Sequence, residues 1–240
     1  MSVTIMYKYV NFAVAFVLMV PLVLSCQSDI LAGEDMDGIE AVWRSSVDVP
    51  GHPRLFLLKG EEKNIKAILT DMQYAKVHNG ILSTAGNLLS TPLPERVLTG
   101  KRLLDVSREC IKRIFYWSYA YRMTADSRFL ERARQEMLAV ASFSDWNPSH
   151  FLDVAEMTVA MSIGYDWLYD DLPDTERVLI KDAILKKGLE LSMDSENNDF
   201  LWKANNWNQV CNAAMVIGAL ALYEDDEEFA KEIITRSVAS

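Results

Sequence analysis

The chain has 240 residues, and 34 Asp and Glu against 24 Lys and Arg give it a formal charge of −10. That balance argues against a nucleic-acid partner, and any anionic polymer would need a locally basic cleft. Half of the residues are hydrophobic, enough for a sizeable core, whereas three cysteines are too few for a disulfide framework.

The chain opens with Lys8 and the apolar run 10–24, followed by Ser25 and Cys26. This is the layout of a secretory signal, because the run is short and broken by Pro21, unlike a membrane span. Its ending, Val23-Leu24-Ser25-Cys26, resembles a bacterial lipobox. That resemblance implies acylation of Cys26, export, and a membrane anchor in the cell envelope, with the outer membrane expected and its facing side left open. An ordinary signal peptide or a single anchor helix are the alternatives. Removing residues 1–25, whose one charged side chain is Lys8, takes the formal charge from −10 to −11. Gln27 to Glu40, with Gly33, Gly38 and five acids, has the composition of a tether. The predicted organisation is signal peptide 1–25, flexible tether 26–49 and a helical domain 50–240.

Within that domain, Arg54 to Leu58 follows His52-Pro53 and reads as an extended lead-in, and Glu61 to His78 as a helical run. From there apolar and amphipathic helices alternate. Leu103 to Met123 is apolar and reads as inner, Arg128 to Phe143 as outer. Phe151 to Tyr169 is inner and Thr175 to Leu191 outer, and Trp207 to Tyr223 is inner again, with a charged helix from Glu227. Each inner helix ends in a Tyr and a short acidic turn, at Tyr121–Asp126, Tyr169–Asp174 and Tyr223–Asp226. The fold class is therefore all-α, a repeat of stacked α/α hairpins. Periodicity leaves a closed (α/α) toroid and an open solenoid equally allowed. The last helix meets no Gly, Asn or Pro stop signal, so the chain is expected to be the front portion of a longer protein.

Two stretches carry candidate chemistry. Asn205-Asn206-Trp207-Asn208-Gln209 places four amides and an indole at the start of an apolar helix, more than a cap requires. They form either a multiply bonded cap or a surface gripping a polar, ring-shaped ligand. The second stretch runs from Trp146 to Met157. There Ser149 or His150 would cap the helix, and Asp153 and Glu156, three apart on one face, could act as acid and base in a glycoside hydrolase. Helix-dipole stabilisation of acids near a helix start is the bland alternative. Trp146, Trp202 and Trp207 are candidate sugar platforms, with Trp207 favoured by its neighbouring amides, and His150 joins the binding set. Asp166, in an apolar run, is expected to bond a nearby backbone or indole group. Lys101, Arg102, Arg108, Lys112, Arg113, Arg122 and Lys203 could make a basic cleft. Cys110 and Cys211 read as core residues, and His52, His78 and His150 lack metal-ligand spacing. Neither metal nor cofactor is expected.

His52-Pro-Arg-Leu-Phe56, Phe151-Leu-Asp-Val-Ala-Glu-Met-Thr158 with Gly164-Tyr-Asp-Trp167, and Asn205-Asn-Trp-Asn-Gln209 occur in that order. Together they resemble the N-terminal helical domain of the heparinase II/III family of polysaccharide lyases. The resemblance implies an (α/α) toroid, here incomplete, joined in the family to a β-sandwich. It implies β-elimination on a uronic-acid polysaccharide of glycosaminoglycan or alginate type. Asn206 or Asn205, with Gln209 one turn later, would neutralise the uronate carboxylate. The family's proton-transfer Tyr and His match no residue of this sequence, so the chain alone is expected to be inactive. A hydrolase using Asp153 and Glu156, or a non-catalytic glycan-binding lipoprotein, are the alternatives.

Overall fold

The computed structural model describes residues 49–240, and the expected signal, lipid-attachment and tether segments lie outside them. The lead-in, predicted extended, is instead bent: Leu55 and Leu57 are buried, and Phe56 between them takes a positive φ of 59°. The predicted helix 61–78 is two helices, α1 (Glu62–Ile68) and α2 (Met72–Leu88). Asp71 divides them. Its carboxylate accepts from the Gln73 N–H and so restarts the chain as an N-cap, a local bond that competes with a continuous helix.

The alternation of apolar and amphipathic helices follows the pattern read from the sequence. The inner helices are α3 (Leu104–Thr124), α5 (Phe151–Leu168) and α8 (Asn206–Ala221). The outer ones are α4 (Ser127–Ala141), α6 (Asp174–Ile184) with its continuation, α7 (Glu190–Met193), and α9 (Glu227–Ala239). Two of the three polar joints cap the next helix, whereas the one before α6 leaves Pro173 at the cap position with no side-chain bond. Asp126 accepts from the Arg128 N–H, and Asp226 from the Phe229 N–H, both at 3.0 Å.

α5 is the axis of the layer, packed between α3 and α8, and every residue in it except Val159 is buried. A helix apolar all round must be enclosed, which is why neither flank of α5 faces water. α4 and α6 pack on one another and on the inner layer, and α9 lies on α8. Between α6 and α7, Leu185–Leu189 widens into a π turn. Gly188 sits there, and a Cβ on it would come 2.5 Å from Thr158 Oγ1; one on Gly218 of α8 would come 2.9 Å from Thr158 Cγ2. Thr158 is therefore the point at which three segments approach too closely for any side chain. Among the described residues, no helix is long and apolar enough to cross a membrane.

The three inner helices run parallel. Leu103 N–H donates to Asp153, and the ring of His150 meets Trp207, which gathers the starts of α3, α5 and α8. Arg122 lies over Trp167, and Asp166 is joined through His52 to Glu224, which gathers their other ends.

Candidate functional site

The start of α8 divides its four amides into two pairs. Asn205 takes an extended backbone, and its Oδ1 accepts from the Trp207 N–H at 2.9 Å, so it is the N-cap. Asn208 Nδ2 donates to Leu201 O at 3.0 Å and Ser240 Oγ at 2.7 Å, fastening α8 to the preceding 3-10 turn and to the end of α9. Those two side chains hold structure. Asn206 and Gln209 are exposed, and no described residue hydrogen-bonds to either side chain. They line an open depression of roughly 670 Å³, together with Trp202, Lys203 and Ser240.

Trp202, 85% exposed, is the aromatic that this depression offers to a ligand. The favoured platform, Trp207, is already engaged, which corrects the expectation from sequence. Lys203 Nζ lies 4.0 Å from its ring centroid, and the His150 ring packs edge-on at 4.9 Å. The Trp146 expectation is overturned outright. That indole is 0% exposed, donates to Val140 O at 3.3 Å, and lies against Gly188, so no sugar can reach it.

The start of α5 is built differently. Asn147, in the left-handed region at φ 63°, turns its Nδ2 to Lys101 O at 2.9 Å and Asp153 Oδ2 at 2.6 Å. Asp153 Oδ2 also accepts from the Leu103 N–H at 2.6 Å, and its Oδ1 lies 2.7 Å from His150 Nδ1. Neither expected cap is made: His150 holds the cap position without a capping side-chain bond, and Ser149 Oγ donates to Asn147 Oδ1 instead. Asp153 is 0% exposed and fully committed to three donors, so it cannot flank a glycosidic bond with Glu156 as its partner. Glu156 is 6% exposed and faces the Arg108 guanidinium at 3.1 Å. Burial pushes its carboxyl up to about 7, outweighing the pull of Arg108.

The basic residues also separate. Arg113 is spent on the buried Glu136, and Arg122 on Leu57 O, Leu58 O and Glu62 at the opposite end of α3. Arg108 faces Glu156 and Lys112 faces Glu109. Lys203 is paired with Asp199 at 2.8 Å, and Lys101 and Arg102, both exposed, lie just before α3. Cys110 and Cys211 are free and buried, and burial raises both thiols, Cys211 to about 12, so neither is poised as a nucleophile.

At the other end, Asp166 binds the lead-in, as expected of it, through backbone groups. It accepts from Arg54 N–H at 3.0 Å and Leu55 N–H at 2.8 Å, and lies 2.6 Å from His52 Nδ1. Trp167 donates its indole N–H to Leu55 O at 2.7 Å. His52 Nε2 is 2.7 Å from Glu224, which also takes both Arg54 guanidinium nitrogens at 2.7 and 2.8 Å. Burial favours a neutral His52, but its two carboxylate partners prevail and raise its pKa. Partial burial likewise opposes ionisation of Glu224, yet the bonds from His52 and Arg54 hold it down to about 2.

No protein-family model matches this chain, and a search of curated proteins finds no match. The functional reading therefore rests on the residues themselves. Sequence reasoning gave Trp202 little weight and passed over Asn147. Lys203 next to Trp202 is the one signal of exposure there, and the Asn before Pro148 is a residue type suited to the left-handed region.

Proposed function

We propose that this chain is a helical domain of (α/α)-toroid type from an exported, lipid-anchored polysaccharide lyase that acts by β-elimination on uronic-acid polymers. The observation that carries the reading is the division of labour at the start of α8. Asn205 is consumed by capping and Asn208 by its bonds to Leu201 and Ser240, whereas Asn206 and Gln209 stand unengaged in an open depression beside Lys203 and Trp202. Amides that serve no structural bond are available to a ligand, and neutral donors suit a carboxylate without the desolvation cost of another charge.

The chemistry explains why such groups are needed. The proton next to a uronate carboxyl is weakly acidic, and its loss places negative charge on the carboxyl oxygens. Hydrogen bonds that strengthen as that charge grows lower the barrier. Trp202 adds an apolar face for a sugar ring, while the Lys203 charge is shared with Asp199. The order of the sequence motifs, with alternating inner and outer helices around α5, supports the same scaffold. The lipobox-like ending at Cys26 supports a cell-envelope location and an anchor to the membrane. The competing hydrolase is disfavoured by the saturation and burial of Asp153.

Titration of the chain with alginate, heparin and chondroitin oligosaccharides tests the proposal, followed by near-ultraviolet absorbance for an unsaturated product. Binding that Asn206→Ala weakens at least about tenfold is the expected result. No binding to any of the three overturns the reading. Binding without unsaturated product would leave a glycan-binding lipoprotein as the function.

A further inference from the structure

The depression at the start of α8 offers a ligand polar groups rather than charges. Leu201 and Ala204 give it apolar ground, and Trp202 stands out into solvent. Ser240 Oγ donates to Leu201 O at 2.6 Å and accepts from Asn208 Nδ2 at 2.7 Å, so both side chains are occupied. The open hydrogen-bonding capacity belongs to Asn206 and Gln209, and both are neutral. Among the described residues that line the depression, Lys203 is the one cation, and its ammonium is taken up elsewhere. Nζ lies 2.8 Å from Asp199 Oδ2 and 4.0 Å from the centroid of the Trp207 ring, two groups outside the lining. Asp199 opens the 3-10 turn Asp199–Trp202 and keeps 68% of its side chain in solvent. Residues three apart in a 3-10 turn stand on one side of it, so the turn that presents Trp202 presents a carboxylate as well.

Resting on the uronate-binding reading above, we propose that this site takes an unsulfated uronan, and that Asp199, acting through Lys203, is the positioning residue that sets it against sulfated ones. The anionic groups of the two kinds of polymer need different partners. A uronate carboxylate is a strong acceptor with a single charge, and neutral amides satisfy it by hydrogen bonding. A sulfate ester spreads a permanent charge over its oxygens, and on leaving water it needs a cation in compensation. Here the cation is already neutralised by Asp199 and held over the Trp207 ring. The Asp199 carboxylate then meets a sulfated sugar as a like charge, which selects against it without weakening the grip on a lone carboxylate as much. The formal charge of −10 on the whole chain gives the more distant field the same sign.

One sugar backbone with and without its sulfates separates the outcomes. The full chain is titrated calorimetrically, at a single ionic strength, with a heparin tetrasaccharide, with the same tetrasaccharide desulfated and N-acetylated, and with an alginate tetrasaccharide. The expected result is that desulfation tightens binding at least about tenfold, and that Asn206→Ala weakens the desulfated sugar and alginate alike. Asp199→Asn, a change at an exposed side chain, should raise the affinity for heparin at least about threefold more than that for its desulfated form. Adding Lys203→Gln should abolish that gain, because the freed ammonium is then gone. If removing the sulfates gains nothing, the substrate class is overturned, and alginate binding that Asn206→Ala weakens leaves the carboxylate grip standing. No gain from Asp199→Asn, an equal gain for both heparin forms, or a gain that survives Lys203→Gln overturns the role of Asp199. Absence of binding to all three sugars overturns the grip itself, and this inference with it.

Discussion

The two ends of the inner helical layer are both rich in charge and aromatic rings, but they use them oppositely. At the ends of α5 and α8, His52, Arg54, Asp166 and Glu224 close on one another and on the backbone of the lead-in. At the starts of the same helices, Asn206, Gln209 and one nitrogen of His150 are left over after the local bonds are made. A saturated polar cluster holds a chain segment in place, and an unsaturated one can hold something else. The residue types are similar. What distinguishes clamp from cleft is which hydrogen-bonding capacity the fold consumes.

The largest effect that would break this comparison is at Asp166. Asp166→Asn removes the charge that accepts two backbone N–H groups and faces His52. It should cost on the order of 3–5 kcal/mol in urea denaturation, the usual penalty for breaking a buried charge pair. A loss below about 1 kcal/mol would mean that the clamp does not hold the lead-in.

His52 provides a smaller effect with a pH signature. Its pKa is raised in the folded state, so its stabilisation is fully present below about 6.5, the ordinary histidine value, and is lost as pH rises through the folded value. His52→Gln should therefore lower stability by on the order of 2 kcal/mol at pH 6. Thermal melts should show that deficit narrowing toward pH 9, and a constant deficit would contradict the ionic role.

Glu156 reverses the direction. Because burial raises its carboxyl to about 7, the folded state takes up a proton before the unfolded state does, and stability falls as pH rises from about 4.5 to 7. Glu156→Gln removes the buried charge and should raise the melting temperature at pH 8 by an amount worth about 1–2 kcal/mol, with little change at pH 5. The same gain at both pH values would show that packing, not charge, is responsible.

The smallest expected change lies in the cleft itself. Asn206→Ala and Gln209→Ala should each leave stability within about 0.5 kcal/mol, since neither side chain supports a described residue. Asn205→Ala, which removes the cap bond, should cost about 1 kcal/mol. Equal losses at all three would erase the distinction between capping and free amides.

Much of the architecture was legible in the sequence because it rests on local rules. Apolar periodicity marked α3, α5 and α8 as inner helices. The acidic turns ending in Asp126 and Asp226 marked the joints between helices, and the amide-rich start of α8 stood out against its apolar continuation. The break at Asp71 was harder to see, since the run 61–78 keeps helical character on both sides and a single capping bond decides it. Tertiary packing decided the rest. Trp146 and Trp202 are the same residue type near the same helix starts, yet one is enclosed behind the π turn and the other stands in solvent. Asp153 and Glu156 have the spacing of a catalytic pair, yet Leu103 and Asn147, brought from 50 and 6 residues away, consume the first of them. Sequence determines which groups are present and which helix face they share. How much hydrogen-bonding capacity each retains depends on partners distant in the chain, and only the folded structure brings them together.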